Sequence, residues 1–558
     1  MSLGAPMVEA VSPPRPSRSG WLARWAWCAL MLPMVASSWV RELWAPDEVR
    51  YAEVAREAFS SGSFLVLHLC DRPWSDKPPL LFWASGLLGW LSGWSELWLR
   101  VPSLLATLGT AWLVARLAGE WWGEVAARWA PALFLGTAMV TEIGGRLQVD
   151  PLLAFWCTLA LYLVTRRHPV ASAHKGRDVL LAGLCAGMAG LTKGPVAWLN
   201  VGIVIGVWAW LCPSSLPRVR ARTWLAAVGL AVAPVGLWAI GVALAEPGLA
   251  ADLFYGQHAG RVTDVAERHP GPPWKHLVRM PALLLPWTAL VAAGLLGAWQ
   301  RFRSRRAGLS PGDVGLVQAG SWLLVLLAFF SLIPPKRDLY LLPAYPAAAL
   351  LAAWTLDRAL ARGRMAGLLA LFTAMVVSLV GAALVAAPLL TDELAGLWWR
   401  GPTVGLPLLA GGIAGLIAHR RGKVDRWTLS LLAGWVVFGV ALAVAVLAPL
   451  NAVKSPRIFA EELARRPERP AAIPCLIGVQ PANFRFYGGV PTVRSADLMP
   501  HLERDGEDFL ALVTEDAWSG MDHDLRARFR LIARRTVGGR GILLLGAPRA
   551  GPQPQSGE

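Results

Sequence analysis

Residues 44–83, WAPDEVRYAEVAREAFSSGSFLVLHLCDRPWSDKPPLLFW, hold a concentrated set of side chains able to do chemistry. Pro46 followed by Asp47 and Glu48 suits a helix start, where carboxylates meet the positive end of the helix dipole. On such a helix Asp47, Arg50, Tyr51 and Val54 fall at i, i+3, i+4 and i+7 and share one face. A carboxylate, a guanidinium and a phenol then converge on one spot, with Lys77 at the far end of the same stretch. Spacing alone leaves a blander alternative open, an interfacial amphipathic helix whose charges meet only solvent and lipid headgroups.

Four other short segments carry ionisable groups between apolar runs. GGRLQVDP (144–151) supplies Arg146 and Asp150, and LTKGP (191–195) supplies Lys193. Residues 254–276 contain His258, Arg261, Glu267, His269 and Lys275, and PPKRDLYLLPAYP (334–346) contains Lys336, Arg337 and Tyr340. Ionisable groups beside hydrocarbon are costly and usually functional. Arginine as a fork and lysine as a point charge suit a phosphate, and an aspartate among them suits a general base. Asp47 and Asp150 are therefore the candidate catalytic carboxylates. Glu48, Arg50, Tyr51, Lys77, Arg146, Lys193, Arg261, His269, Lys336 and Tyr340 are the candidate substrate-binding groups. Asp47, Asp150 and His269 offer donor atoms that could hold a divalent metal, but no tight spacing requires a cofactor. Each charge could also be a topology anchor or half of an internal ion pair.

The elements that position these groups are membrane spans. Hydrophobic residues make up 55% of the 558, only 16% are charged, and the mean hydropathy is +0.46. Apolar runs of about 20 residues, the length that crosses a bilayer, recur down the chain. They predict thirteen spans, near 21–40, 97–118, 125–142, 151–165, 179–193, 195–212, 224–245, 281–299, 314–333, 339–357, 365–388, 403–418 and 427–449. The net charge of +16 gathers in short loops, at 166–177, 218–222, 301–306, 358–364 and 419–426. Short basic loops mark the cytoplasmic side, so the charge sets topology and argues against nucleic acid as a partner. The N-terminus is then cytoplasmic and residues 41–78 emerge outside. Cys70 and Cys475 also fall outside, where a disulfide could join them.

From Asn451 the pattern changes. Segments 473–479, 508–514, 530–537 and 541–547 read as strands, and 497–504 and 522–529 as helices. The expected organisation is a disordered tail (1–20), an all-α polytopic membrane domain (21–450), a small soluble α/β domain (451–550) outside the membrane and a second tail (551–558). No spacing in the C-terminal domain resembles a site, so its expected role is acceptor recruitment or stability.

PDEVRYAEVARE (46–57) followed by SDKPPLLFW (75–83) resembles the first-loop signature of polyprenyl-phosphate-dependent glycosyltransferases. That family includes the lipid A aminoarabinose transferases and the protein mannosyltransferases. GGRLQVDP, LTKGPVA, QHAGRV with HPGPPW, and PPKRDLYLLPAYP stand in the family's order, so the resemblance spans roughly residues 21–450. It implies a C-type glycosyltransferase fold and inverting transfer of a sugar from an undecaprenyl-type phosphate carrier. The acceptor would be lipid A or another lipid or glycan of the cell envelope, reached at the outer face of the inner membrane. By the same resemblance Asp47 is the catalytic carboxylate and Lys77 the donor-phosphate lysine. Asp150, Lys193 and His269 match other site motifs. The stretch PPLLFW after Lys77 is generic and leaves the sugar open. Two other classes compete: a transporter or flippase of a lipid-linked sugar, and a polymerase or ligase using the same donors. No internal repeat of the kind transporters carry is evident, and the charges sit at the boundary rather than at mid-membrane.

Overall fold

The computed structural model describes residues 18–166, 173–251, 271–304, 308–362, 367–390, 398–466, 470–476 and 478–547. The first half is a run of helices: α1 (Arg18–Val40), α2 (Asp47–Ser61), α3 (Leu80–Leu91), α4 (Glu96–Trp122), α5 (Glu124–Leu135), α6 (Ala138–Ile143), α7 (Val149–Thr165), α8 (Ala173–Lys193), α9 (Val196–Leu211) and α10 (Ala221–Ala245). Among the described residues, seven helices are long and apolar enough to cross a membrane, and each coincides with one of the thirteen expected spans. Of the other six, 21–40 and 179–193 fall on the continuous helices α1 and α8, 151–165 and 195–212 on the shorter α7 and α9, and the last two are broken or bent. Segment 125–142 divides into α5 and α6, and 281–299 falls on two helices, Lys275–Leu283 and Thr288–Arg303, bent by 118°. The protein is a multi-pass helical membrane protein; the helices by themselves do not fix the number of crossings at thirteen. Helix α3 has no counterpart among the expected spans. Its 12 residues reach about 18 Å at 1.5 Å per residue, too short for a bilayer.

Helix α2 begins as its sequence directs, with Pro46 at the N-cap and Asp47 and Glu48 in the first turn. It ends at Gly62, whose φ of 73° is the left-handed conformation glycine adopts without strain. The helix does not lie in the lipid interface. Val49, Tyr51, Ala52, Val54, Ala55 and Ala58 are buried with Trp74, Phe82, Leu99 and Leu147 in a core of their own. The Tyr51 ring meets Trp74 and Phe82 edge-on at 6.4 and 5.5 Å. Burial on most of its circumference excludes the interfacial-helix alternative, since such a helix would keep a wide wet face.

The first loop carries a short antiparallel hairpin, β1 (His68–Leu69) with β2 (Arg72–Pro73). The C-terminal region carries β3 (Ile473–Leu476), β4 (Thr492–Ser495), β5 (Leu510–Thr514), β6 (Arg530–Val537) and β7 (Arg540–Gly546), which form a five-stranded sheet in the order β4-β3-β5-β7-β6. Strand β3 runs parallel to β4 and β5, and β7 is antiparallel to β5 and β6. Four of the five strands match the expected segments. Strand β4 and the helix Ala482–Gly488 do not, because a four-residue, half-exposed edge strand has too little apolar patterning to read. The domain rests on the first loop. Arg485 donates to both oxygens of Asp71 at 2.7 Å. The Tyr487 hydroxyl donates to Glu96 at 2.9 Å and accepts from the Leu43 N–H at 2.9 Å. Cys70 and Cys475 both stand free.

Candidate functional site

Asp47, at the first position of α2, has both oxygens engaged. Oδ1 accepts from Arg50 Nη2 at 2.9 Å and Oδ2 from Arg337 Nη2 at 2.6 Å. Arg50 sits one helical turn along, so the first contact follows from the i,i+3 spacing. Arg337 arrives from 290 residues away, on the turn that leads into Asp338–Ala344. Arg50 also reaches Asp76 with Nη1 at 3.4 Å, and its guanidinium lies 5.5 Å from the Tyr51 ring centre. Lys77 donates to the Asp76 carbonyl at 2.9 Å. Burial opposes the charge on Asp47, but Arg337, Arg50 and Lys77 outweigh it and hold the carboxyl below its ordinary value. The carboxylate is therefore ionised throughout the neutral range and is a weak base.

A second group lies beside the first. Lys193 at the end of α8 pairs with Asp150 in the first turn of α7, and its ammonium stands 4.5 Å from the Tyr340 ring centre. Asp150 is 1% exposed, and its Oδ2 meets no partner among the described residues. Tyr340 lies three residues after Arg337, so one short segment serves both groups. A cavity of about 440 Å³ opens beside Asp47, lined by Arg146, Lys275, Arg279, Lys336 and Arg337 among others. Arg146 donates to Glu142 at 2.9 Å on its rim. The arrangement holds the ionised Asp47 carboxylate among several cations at one end of a helical bundle, which suits binding and displacing phosphate groups.

Several candidates are thus brought together: Asp47, Arg50, Tyr51 and Lys77 around one point, with Asp150, Lys193 and Tyr340 adjacent. Arg261 and His269 lie outside the described residues. Two candidates are placed differently from the expectation of substrate contact. The Lys336 ammonium turns back onto the carbonyls of Phe330, Ser331 and Ile333, capping the end of helix Pro311–Leu332 where such carbonyls lack intrahelical partners. Glu48 turns inward to Arg41 at 3.0 Å and Arg100 at 3.1 Å, because successive residues on α2 point about 100° apart and Asp47 already faces the site. Arg337 is a site residue that the sequence does not single out. It stands among the charges of segment 334–346, but nothing local says which of the neighbours Lys336 and Arg337 faces inward.

Residues 76–238 match the family model for dolichyl-phosphate-mannose-protein mannosyltransferases. An undecaprenyl phosphate-alpha-4-amino-4-deoxy-L-arabinose arabinosyl transferase of Serratia proteamaculans is 30% identical over 422 residues, covering 71% of this chain and 73% of that protein. The chain belongs to this arabinosyl transferase family. It is accordingly a glycosyltransferase. The counterpart from Aeromonas salmonicida is 32% identical over 322 residues, and there the match spans 57% of each chain. The fold agrees: ArnT from Cupriavidus metallidurans, in a crystal structure with undecaprenyl phosphate bound, superposes with a TM-score of 0.74 at 21% identity, over 96% of this chain and all of that one. The same protein in the apo state gives 0.72.

Asp47, Asp150 and His269 are the candidate ligands for a divalent metal, and His269 lies outside the described residues. The first two fit it poorly. Both Asp47 oxygens already accept from guanidiniums, Asp150 holds Lys193, and a cation would have to displace these positive groups. Among the described residues no cluster of three or more His, Cys, Asp or Glu side chains has metal-binding geometry.

Proposed function

We propose that the protein transfers a sugar from an undecaprenyl-phosphate carrier to a phosphate-bearing acceptor such as lipid A, at the outer face of the bacterial inner membrane. The observation that carries this reading is Asp47 held between Arg50 and Arg337 with Lys77 close by. A hydroxyl acceptor would need a base matched to neutral pH, and a carboxylate held low by two guanidiniums is ill suited to that. A phosphate acceptor is already an anion and needs only placing. In the proposed step its oxygen attacks the anomeric carbon from the face opposite the carrier. A new carbon–oxygen bond forms as the bond to the carrier phosphate breaks, and the electron pair leaves with that phosphate. Lys77 meets the growing charge on the leaving group, while Asp47 keeps Arg50 and Arg337 aimed at phosphate oxygens. The anomeric configuration inverts. Relatives named for an aminoarabinose donor support that sugar.

Reconstituted protein given radiolabelled undecaprenyl-phosphate aminoarabinose and lipid A should form a labelled glycolipid. Label that crosses the membrane with no new glycosidic bond would instead indicate a flippase. In the same assay Lys77→Ala should weaken donor binding and transfer together by about ten- to a hundredfold, the value of one charge-assisted contact. Unchanged donor affinity would remove Lys77 from the phosphate site.

The N-terminus is proposed to be cytoplasmic and the C-terminal domain periplasmic, from the arginine clusters in alternate loops. A phosphatase fused after Ala448 should be active and one in loop 166–177 inactive; the reverse pattern would invert the topology.

A further inference from the structure

A second cavity, of about 270 Å³, lies where the C-terminal domain meets the first loop. The loop supplies Arg50, Arg72, Trp74 and Asp76 to its wall, and the C-terminal domain supplies Gln480 and Arg494. Three guanidiniums and one carboxylate line it; Arg50 is already paired with Asp47 and Asp76, so the excess positive charge of the cleft comes from Arg72 and Arg494. Arg72 and Arg494 pair with no carboxylate among the described residues, unlike the neighbouring Arg485, which is bound to Asp71. Two of the lining residues carry a buried polar atom, Arg50 Nε and Gln480 Oε1, that meets no partner among the described residues. Unpaired buried polar atoms are costly, and a small shift of either side chain toward a ligand in the cleft would give it a partner.

The place in the fold agrees. Gln480 follows β3, and Arg494 lies on the parallel strand β4, in register with Cys475 of β3. Open sheets of parallel strands hold their ligands outside the carboxyl ends of those strands. The cleft also adjoins the chemistry, because Arg50 lines it while donating to Asp47.

We propose that this cleft is a phosphate-binding subsite that seats the acceptor, with Arg72 and Arg494 gripping a sugar phosphate and Gln480 accepting from one of its hydroxyls. The assignment deepens the proposed function and rests on it. It gives the C-terminal domain a defined task, since half of the subsite belongs to that domain.

Arg72 and Arg494 are both exposed, so their substitution leaves the fold intact. Full-length protein in nanodiscs carries the test, with Arg72→Ala, Arg494→Ala and the double variant. Equilibrium binding is measured for phosphorylated lipid A, for enzymatically dephosphorylated lipid A and for undecaprenyl phosphate, alongside initial transfer rates. Wild-type protein should prefer the phosphorylated acceptor. Each single variant should raise the acceptor Kd and KM about tenfold or more, with kcat at saturating acceptor and undecaprenyl-phosphate binding unchanged. Arg494→Lys should recover part of the loss. Acceptor affinity unchanged in the double variant overturns the subsite, and a loss confined to undecaprenyl phosphate assigns the cleft to the donor instead. Acceptor binding is read without turnover. A protein that transfers no sugar but still loses phosphorylated-acceptor binding in the variants would refute the proposed reaction and keep the subsite.

Discussion

Asp47→Asn lowers the rate of sugar transfer by about a hundred- to a thousandfold while the donor still binds, the expected loss when one preorganised electrostatic contact is removed from a reacting centre. Asparagine keeps the shape of the side chain but removes its charge. Its amide nitrogen would also face one of the two guanidiniums that now donate to Oδ1 and Oδ2. Arg50 and Arg337 then lose the group that fixes their aim, so phosphate oxygens in the transition state meet misdirected donors. The pH profile adds a second reading. Because the Asp47 carboxyl is held below its ordinary value, the ionised form persists as pH falls and is lost only below about pH 4. A wild-type profile with no acid limb above about pH 5 fits an orienting carboxylate; an acid limb near neutrality would mark a general base. Single-turnover rates and donor binding in nanodiscs measure both quantities. Turnover close to wild type in Asp47→Asn would end the assignment.

Glu48→Ala destabilises the protein by about 3–5 kcal/mol, the usual result of removing one partner from a buried ion network. Glu48 is 3% exposed. Its Oε1 accepts from Arg41 at 3.2 Å, from Arg100 at 3.1 Å and from the Leu147 N–H at 3.0 Å. Arg100, fully buried, also donates to the carbonyls of Ser38, Arg41 and Glu42 at the end of α1 and just after it. One carboxylate thus ties α1, α2, α4 and the loop before α7 together. Without it the buried Arg41 guanidinium loses its ion-pair partner, and Arg100 keeps only Glu96 at 4.0 Å. Burial opposes ionisation of Glu48, but Arg100 and Arg41 prevail and bring its pKa to about 2. A depressed carboxyl contributes its stability fully above the ordinary value of 4.5, and that contribution fades as pH falls toward about 2. Detergent-unfolding midpoints of wild type and Glu48→Ala at neutral pH measure the difference. Equal midpoints would show that the network contributes nothing net. Turnover should fall with stability, because loosening the start of α2 moves Asp47.

Much of this architecture is legible in the amino-acid sequence alone. Long apolar runs establish the membrane class, because a span's length is set by the bilayer and not by its neighbours. The helix start at Pro46–Asp47–Glu48 follows from capping rules that are local, and so does the Asp47–Arg50 pairing. Motif order along the chain places Lys77, Asp150 and Lys193 in one family pattern, and Lys193 does meet Asp150. The short helix α3, the breaks at Gly136–Thr137 and Leu284–Trp287, and the edge strand β4 are not legible there, since each depends on what packs against it.

The sequence by itself determined the class of membrane protein, the family and the short-range geometry of α2, because these rest on composition, motif order and contacts within a few residues. Only the tertiary structure decided which charges meet. It brought Arg337 to Asp47 across 290 residues, turned Glu48 inward to Arg100 and Lys336 back onto the end of the preceding helix Pro311–Leu332, and laid Gln480 and Arg494 against the first loop. The physical reason is that a charge near hydrocarbon must find a partner, and which partner lies within reach is set by the packing of distant helices.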